Sequence, residues 1–332
     1  MGVQARECFH VRAFDSAFSF CASCCLSVTP PGGARRAAMA LVALSGDEQR
    51  IVFVQLCNVL EPRLAVALSS TNNELRELTQ ALLPQLRTDH EAAAALCLKA
   101  GMRSCKELRE AKRVHWQDKG LFAADLVFLG TLGSVLPALE RLVLYEPASG
   151  PDGVQRLAAG LGAGALPAVT ELRIVGTHVG DAGASALAAA LGQGALPRLK
   201  TLSLVDAAIG DAGLVALAPA LRRRPALQSL YIFNNPFGDE GIAALLAPPP
   251  PAGAPPPPAG VLAKLKVLYL GGTQITDAGC AALAAALDSG ALPALESLQL
   301  FEIPASAAAM ATVYEARANL KDGMVRESES EE

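Results

Sequence analysis

Residues Ala168–Leu204 read AVTELRIVGTHVGDAGASALAAALGQGALPRLKTLSL. Apolar Val169, Leu172 and Ile174 open the stretch, the last two alternating with polar residues as in a strand that buries one face. A turn passes through Gly176 and Gly180 to Asp181-Ala182-Gly183, and an Ala-rich run with Leu187 and Leu191 follows. Leucines four residues apart share one helix face, so this second half is an amphipathic helix. Gly194-Ala195-Leu196-Pro197 closes it, a Gly suited to a helix C-terminus and a Pro that cannot continue one. Leu199, Leu202 and Leu204 then begin the pattern again.

Outward from this stretch, the strand signature L-x-x-L-x-L recurs. It falls at Leu139/Leu142/Leu144, Val169/Leu172/Ile174, Leu199/Leu202/Leu204, Leu227/Leu230/Ile232, Leu265/Leu268/Leu270 and Leu295/Leu298/Leu300. First positions lie 30, 30, 28, 38 and 30 residues apart. A weaker copy, Ala111/Val114/Trp116 with Leu121 behind it, sits 28 residues before Leu139. Trp116 is expected to fill a core slot there, in a unit that closes the end of the array. An Asp and a Gly follow each of the first five strands, as Asp152-Gly153 and then as Asp-x-Gly at Asp181, Asp211, Asp239 and Asp277. Asp at a helix start accepts from free N–H groups and complements the helix dipole. Its recurrence in five copies marks a cap and not a catalyst, and each is expected to cap its own helix. Cys280 takes the place of Val154, Ala184, Leu214 and Ile242, so it is expected to be a buried small hydrophobe.

A unit of 28 to 30 residues with one strand and one helix, written six times, resembles the leucine-rich repeat. The GDxGAxALAxAL helix and the GALP return are similar to the ribonuclease-inhibitor-like class, over about residues 111–320. The resemblance implies an α/β leucine-rich-repeat horseshoe, with parallel strands on the concave face and helices on the convex face. Where that class often places Asn or Cys to bond the turn backbone, this chain has Pro147, Thr177, Ala207, Asn235, Thr273 and Ile303, so looser turns are expected. The fourth repeat carries an insertion, Pro248 to Gly260, with eight Pro. It is expected to be a surface loop; as a polyproline II segment it would suit an SH3, WW or profilin-type reader.

Ahead of the array, residues 41–110 read as a small all-α segment. Glu61-Pro62 separates two helical patterns, with Pro62 suited to the first turn of the next. Thr71 and Glu74 have capping-box spacing, and further helices are expected at Glu91–Ala100 and Ser104–Arg113. The stretch from Leu44 to Leu78, LSGDEQRIVFVQLCNVLEPRLAVALSSTNNELREL, resembles an F-box, matching at Leu44, Asp47, Glu48, Leu60, Pro62, Leu64 and Leu68. That resemblance implies docking to a cullin adaptor through Leu44, Leu60, Pro62 and Leu64. Ser45 replaces the usual Pro and the late Trp is missing; the other expectation is a plain helical cap. Residues 1–40 are a disordered extension or a presequence, and 321–332 an acidic disordered tail.

A net charge of −4 and a pI near 5.7 disfavour a nucleic-acid partner. No apolar run reaches the ~18–20 residues of a membrane span. The eight Cys are scattered, and Cys21-x-x-Cys24 lacks the second ligand pair a zinc site needs. The expectation is a reduced, cytoplasmic or nuclear protein with no metal and no cofactor, organellar targeting by residues 1–38 being the alternative.

Function is expected on the non-Leu strand positions. Tyr145, Arg173, Tyr231, Phe233, Tyr269 and Phe301 lie there, with Glu146, Asp206 and Glu302 among their neighbours. Exposed strand positions need no aromatics for folding, whereas Tyr and Phe anchor interfaces; cross-strand packing among the rings is the alternative. P-loop, GxSxG and HExxH motifs are missing, and His115 and His178 are expected at surface or turn positions. The chain is thus read as a non-catalytic protein-binding scaffold. The alternatives are a substrate receptor of a cullin-type ubiquitin ligase and, remotely, a GTPase-activating protein of the Ran type, a repeat family whose catalytic Arg and Asn find no match here.

Overall fold

The computed structural model describes residues 58–69, 76–77, 80, 82–150, 152–246, 262–290, 292–317 and 320–322. Leu44, Asp47, Glu48, the Thr71/Glu74 capping box, the insertion 248–260 and most of the acidic tail lie outside them. The chain divides into two compact units, Met1–Ala95 and Leu96–Glu332.

In the first unit, α1 (Arg63–Ser69) begins one residue after Pro62, whose carbonyl accepts from Val66 N at 3.1 Å. Helix α2 spans Leu82–Lys99 and crosses the boundary between the units. It starts well before the expected Glu91, because Pro84 fits a first helical turn and the apolar spacing continues through Leu86, Ala93 and Leu96. Helix α3 (Cys105–Glu110) is capped by Ser104, whose Oγ accepts from Glu107 N, and ends short of the expected Arg113 because β1 begins there.

The second unit holds one parallel sheet of eight strands in sequence order: β1 Arg113–Gln117, β2 Arg141–Tyr145, β3 Glu171–Val175, β4 Thr201–Val205, β5 Ser229–Tyr231, β6 Val267–Tyr269, β7 Ser297–Gln299 and β8 Lys321–Asp322. Helices α4 (Ala123–Thr131), α5 (Gly153–Gly160), α6 (Gly180–Gly192), α7 (Asp211–Arg222), α8 (Asp239–Leu246), α9 (Asp277–Asp288) and α10 (Ala307–Glu315) alternate with the strands. Register follows the signature, with Val114↔Leu142, Leu172↔Leu202, Leu230↔Leu268 and Leu268↔Leu298 directly opposed. The weak first copy is a genuine strand, with Val114, Trp116 and Leu121 all buried. At the other end, Lys321–Asp322 of the expected tail pair with β7 as an eighth strand.

The signature leucines and the helix leucines, Leu157, Leu187, Leu217 and Leu283 among them, are at most 5 % exposed and form one continuous core. Cys280 is as fully buried as Val154, Ala184 and Ile242, as its repeat position requires.

Asp152 makes no side-chain cap bond and lies instead 3.7 Å from Arg156 Nη2; the other four Asp are caps, but of a different helix from the one expected. Asp181 Oδ1 accepts from Gly210 N (2.8 Å) and Gly213 N (3.0 Å), at the start of the next repeat's helix α7. Asp211 Oδ1 likewise accepts from Gly238 N and Gly241 N at α8. Asp239 bonds Thr276 at α9, and Asp277 bonds Ser306 at α10. Each carboxylate therefore staples its repeat to its successor. This also explains the Gly: a Cβ at Gly213 would lie 2.5 Å from Asp181 Oδ1, and one at Gly279 2.3 Å from Asp239 Oδ1.

The expectation of looser turns is corrected as well. Asn235 Oδ1 accepts from Ala207 N and Ile209 N, while its Nδ2 donates to three backbone carbonyls. Three repeats earlier, where Pro147 holds the Asn position, the neighbouring Glu146 takes over: its carboxylate accepts from Lys119 N (2.9 Å) and Leu121 N (3.1 Å). Thr177 Oγ1 accepts from Glu146 N and donates to Val175 O; Thr273 Oγ1 donates to Leu270 O. Three residue types, Asn, Glu and Thr, thus satisfy the polar backbone of equivalent turns.

The helix returns are tight. Gly194 (φ 97°) gives its N–H to Leu191 O, and Ala195 N reaches back to Ala190 O, the bond pattern of a Gly-terminated helix. Leu196 follows at φ 51°, a left-handed conformation held by complete burial of its side chain. Arg224, on the next return, donates from Nη1 to Leu196 O (3.2 Å) and from Nη2 to Ala195 O (2.8 Å) and Leu191 O. Burial there pulls its guanidinium down from its ordinary value.

Candidate functional site

Parallel sheets are ordinarily covered on both faces. Here the core residues of each strand meet the helices, and alternate residues form a second face that none of the helices α4 to α10 covers. Register places His115, Val143, Arg173, Ser203, Tyr231, Tyr269 and Gln299 in one row across it.

The face has two chemically distinct halves. On β2 and β3, Glu171 holds both neighbouring arginines: Arg141 Nε lies 2.6 Å from its Oε2 and Arg173 Nε 2.5 Å from its Oε1. Arg173, a predicted partner residue, is therefore exposed but already ion-paired. Tyr145 lays its ring over the next strand's Gly176, where a Cβ would come within 2.4 Å of the ring.

On β5 to β7 the face is aromatic. Tyr231 and Tyr269 are register partners whose rings meet edge to face, centroids 5.0 Å apart. Phe233 and Phe301 lie two strands apart in the fold, yet their centroids are 6.4 Å apart. The residue between them is Gly271, and its missing side chain makes this possible: a Cβ there would sit 2.2 Å from Phe301 Cε1. Sequence reading passed over Gly271 for want of a side chain, although repeat counting aligns it with Phe233 and Phe301. All four rings are half-buried, so they pack on one another and still present surface.

The turns after the strands continue the backbone ladder, with Asp206 N bonding Phe233 O, Asn234 N bonding Gly271 O and Gly272 N bonding Phe301 O. Asp206 (φ 51°), Asn234 (φ 56°) and Glu302 (φ 51°) turn left-handed and expose their side chains beside the aromatic strip. Glu146 does not belong to this surface. It is 0 % exposed, and its carboxylate holds turn amides.

The remaining candidates fall elsewhere. His115 and His178 are exposed, as expected. Leu60 is buried and Pro62 half-buried; Leu64 lies in α1 with its side chain outside the described set, as Leu44 is entirely. Among the described residues, no three His, Cys, Asp or Glu side chains converge as metal ligands, and no helix is long and apolar enough to cross a membrane. Cys97 and Cys105 lie buried together, and burial, reinforced by Cys105, pushes the Cys97 thiol up to about 12.

The family model described as Leucine Rich repeat matches residues 166–188, 196–218, 225–246 and 261–284. No curated protein sequence matches the chain. Among solved structures, internalin C2 of Listeria monocytogenes is 19% identical over 70% of this chain and 80% of its own, with a TM-score of 0.39. A second Listeria monocytogenes internalin, inlF, is 15% identical over 71% of this chain and 88% of its own, with a TM-score of 0.27. The alternating parallel strands and helices are a leucine-rich-repeat fold, and the four matched stretches are similar to that family's repeat.

Proposed function

We propose that this protein is a non-catalytic scaffold that binds a protein partner on the helix-free face of its sheet. Tyr145, Tyr231, Phe233, Tyr269 and Phe301 are the anchors, with Arg173 at the margin. The observation that carries this is the aromatic strip on β5 to β7: four half-exposed rings on a face that core packing does not need. Interfaces concentrate their energy in clustered aromatic anchors of this kind.

The test is site-specific photo-crosslinking in cells. A photoreactive residue at Gln299, on the aromatic face, is compared with one at Ala308, exposed on α10. The expected result is a discrete cross-linked protein from Gln299 that disappears when Tyr231→Ala or Phe233→Ala is added. The same products from both positions, indifferent to the aromatic substitutions, would reject the reading.

A further inference from the structure

The aromatic strip is flanked by exposed carboxylates and carries no cation of its own. Asp206 stands at one end and Glu302 at the other, three strands away, or about 14 Å at the usual strand spacing. Among the described residues neither carboxylate has an ion-pair or hydrogen-bonding side-chain partner. No face-pointing residue of β4 to β7, nor of the turns that follow them, is Lys, Arg or His. On β2 and β3, by contrast, Arg141 and Arg173 share the single carboxylate of Glu171, which leaves a net positive charge there. The aromatic end of the face is thus its negative end, and the β1 to β3 end its positive one.

We propose that the Phe233–Phe301 platform receives an arginine side chain from an extended, basic segment of a partner protein; this rests on the helix-free face being the interaction surface. The two rings lean together over Gly271 and offer π faces, which attract a cation electrostatically. A guanidinium is planar and weakly hydrated, so it stacks on such faces while its N–H groups reach a carboxylate at either side. The Tyr231–Tyr269 pair lies two residues back from Phe233 and Gly271, on β5 and β6, where the next side chains of an extended segment would rest.

The experiment selects a displayed library of random dodecapeptides on the full-length chain, then titrates the best binder as a fluorescein conjugate. The expected selection is rich in Arg, and binding weakens with added salt. Replacing the key Arg by citrulline, or introducing Asp206→Asn with Glu302→Gln, lowers affinity about ten-fold, as does Phe301→Leu, which keeps apolar bulk and removes the π face. Both neutralised carboxylates are exposed, so the melting temperature is expected to hold. Peptides that depend on Phe233 and Tyr231 but show no cationic enrichment and ignore the charge neutralisation would overturn this inference and leave the surface assignment standing. Selected peptides whose binding survives Tyr231→Ala and Phe233→Ala would overturn both.

Discussion

Replacing Asp211 by Ala is expected to loosen the helix of the repeat after its own. Asp211 Oδ1 accepts from Gly238 N at 2.8 Å and Gly241 N at 2.7 Å, both at the start of α8. Bonds to a charged acceptor contribute about 1.5–3 kcal/mol each, but an N-terminal cap partly open to water is worth about 0.5–2 kcal/mol because solvent replaces part of what is lost. Two amides and the helix dipole together make a loss of about 2 kcal/mol the working figure. Asp211→Asn keeps the acceptor and drops the charge, so about half of that is expected. Urea denaturation measures the sum, and amide hydrogen exchange locates it. Protection is expected to fall at Gly238 and Gly241, while Gly210 and Gly213, held by Asp181, stay protected. Loss of protection at 210–214 with 238–242 unaffected would refute the inter-repeat staple and restore capping of the residue's own helix. Gly241→Ala adds a control: its Cβ would lie 2.9 Å from Asp211 Oδ1. In the double variant that clash is gone, so its cost is expected to be smaller than the sum of the two.

Glu146→Ala is expected to destabilise by about 2–4 kcal/mol, because two turn amides lose a buried charged acceptor; a change under about 0.5 kcal/mol in urea titration would show those amides find other partners. Tyr231→Ala is expected to weaken partner binding by about 1–3 kcal/mol, with folding losing the about 0.5–1.5 kcal/mol of an edge-to-face pair beside the burial of a half-exposed ring; global unfolding would make the ring structural. Gly271→Ala is expected to push the Phe301 ring off its platform, read as a changed Phe301 side-chain environment by NMR, with the backbone strand intact. Cys97, with its thiol pushed up to about 12, is expected to resist maleimide at pH 8 until the protein unfolds. Because the folded state holds that proton more tightly than the unfolded chain does, its contribution to stability is whole below about pH 9.0 and falls as pH rises toward 12. Flat stability across that window would place Cys97 in solvent.

Most of the fold was legible in the residue order because strand and helix periods are local. Leu at alternate positions, then Leu at four-residue steps, can bury one stripe in only one way; Val114 and Trp116 could thus be assigned to a strand despite their weak signature. Position counting was enough for Cys280, and it picked out Tyr231, Phe233, Tyr269 and Phe301 as residues of a single face. The carboxylates were another matter. Asp181, Asp211, Asp239 and Asp277 look like caps in any sequence, but which N–H groups they hold depends on how closely successive helices stack. Glu146 reads as a surface residue beside Tyr145 until Pro147 leaves the turn amides without a side-chain acceptor, and the nearest carboxylate folds inward. Gly271 can be aligned with Phe233 and Phe301 by counting, but only the stacked structure shows that the gap it leaves sets the distance between two rings from non-adjacent strands. Burial follows from period within one repeat. Partners follow from the geometry between repeats, which exists only once the chain has stacked.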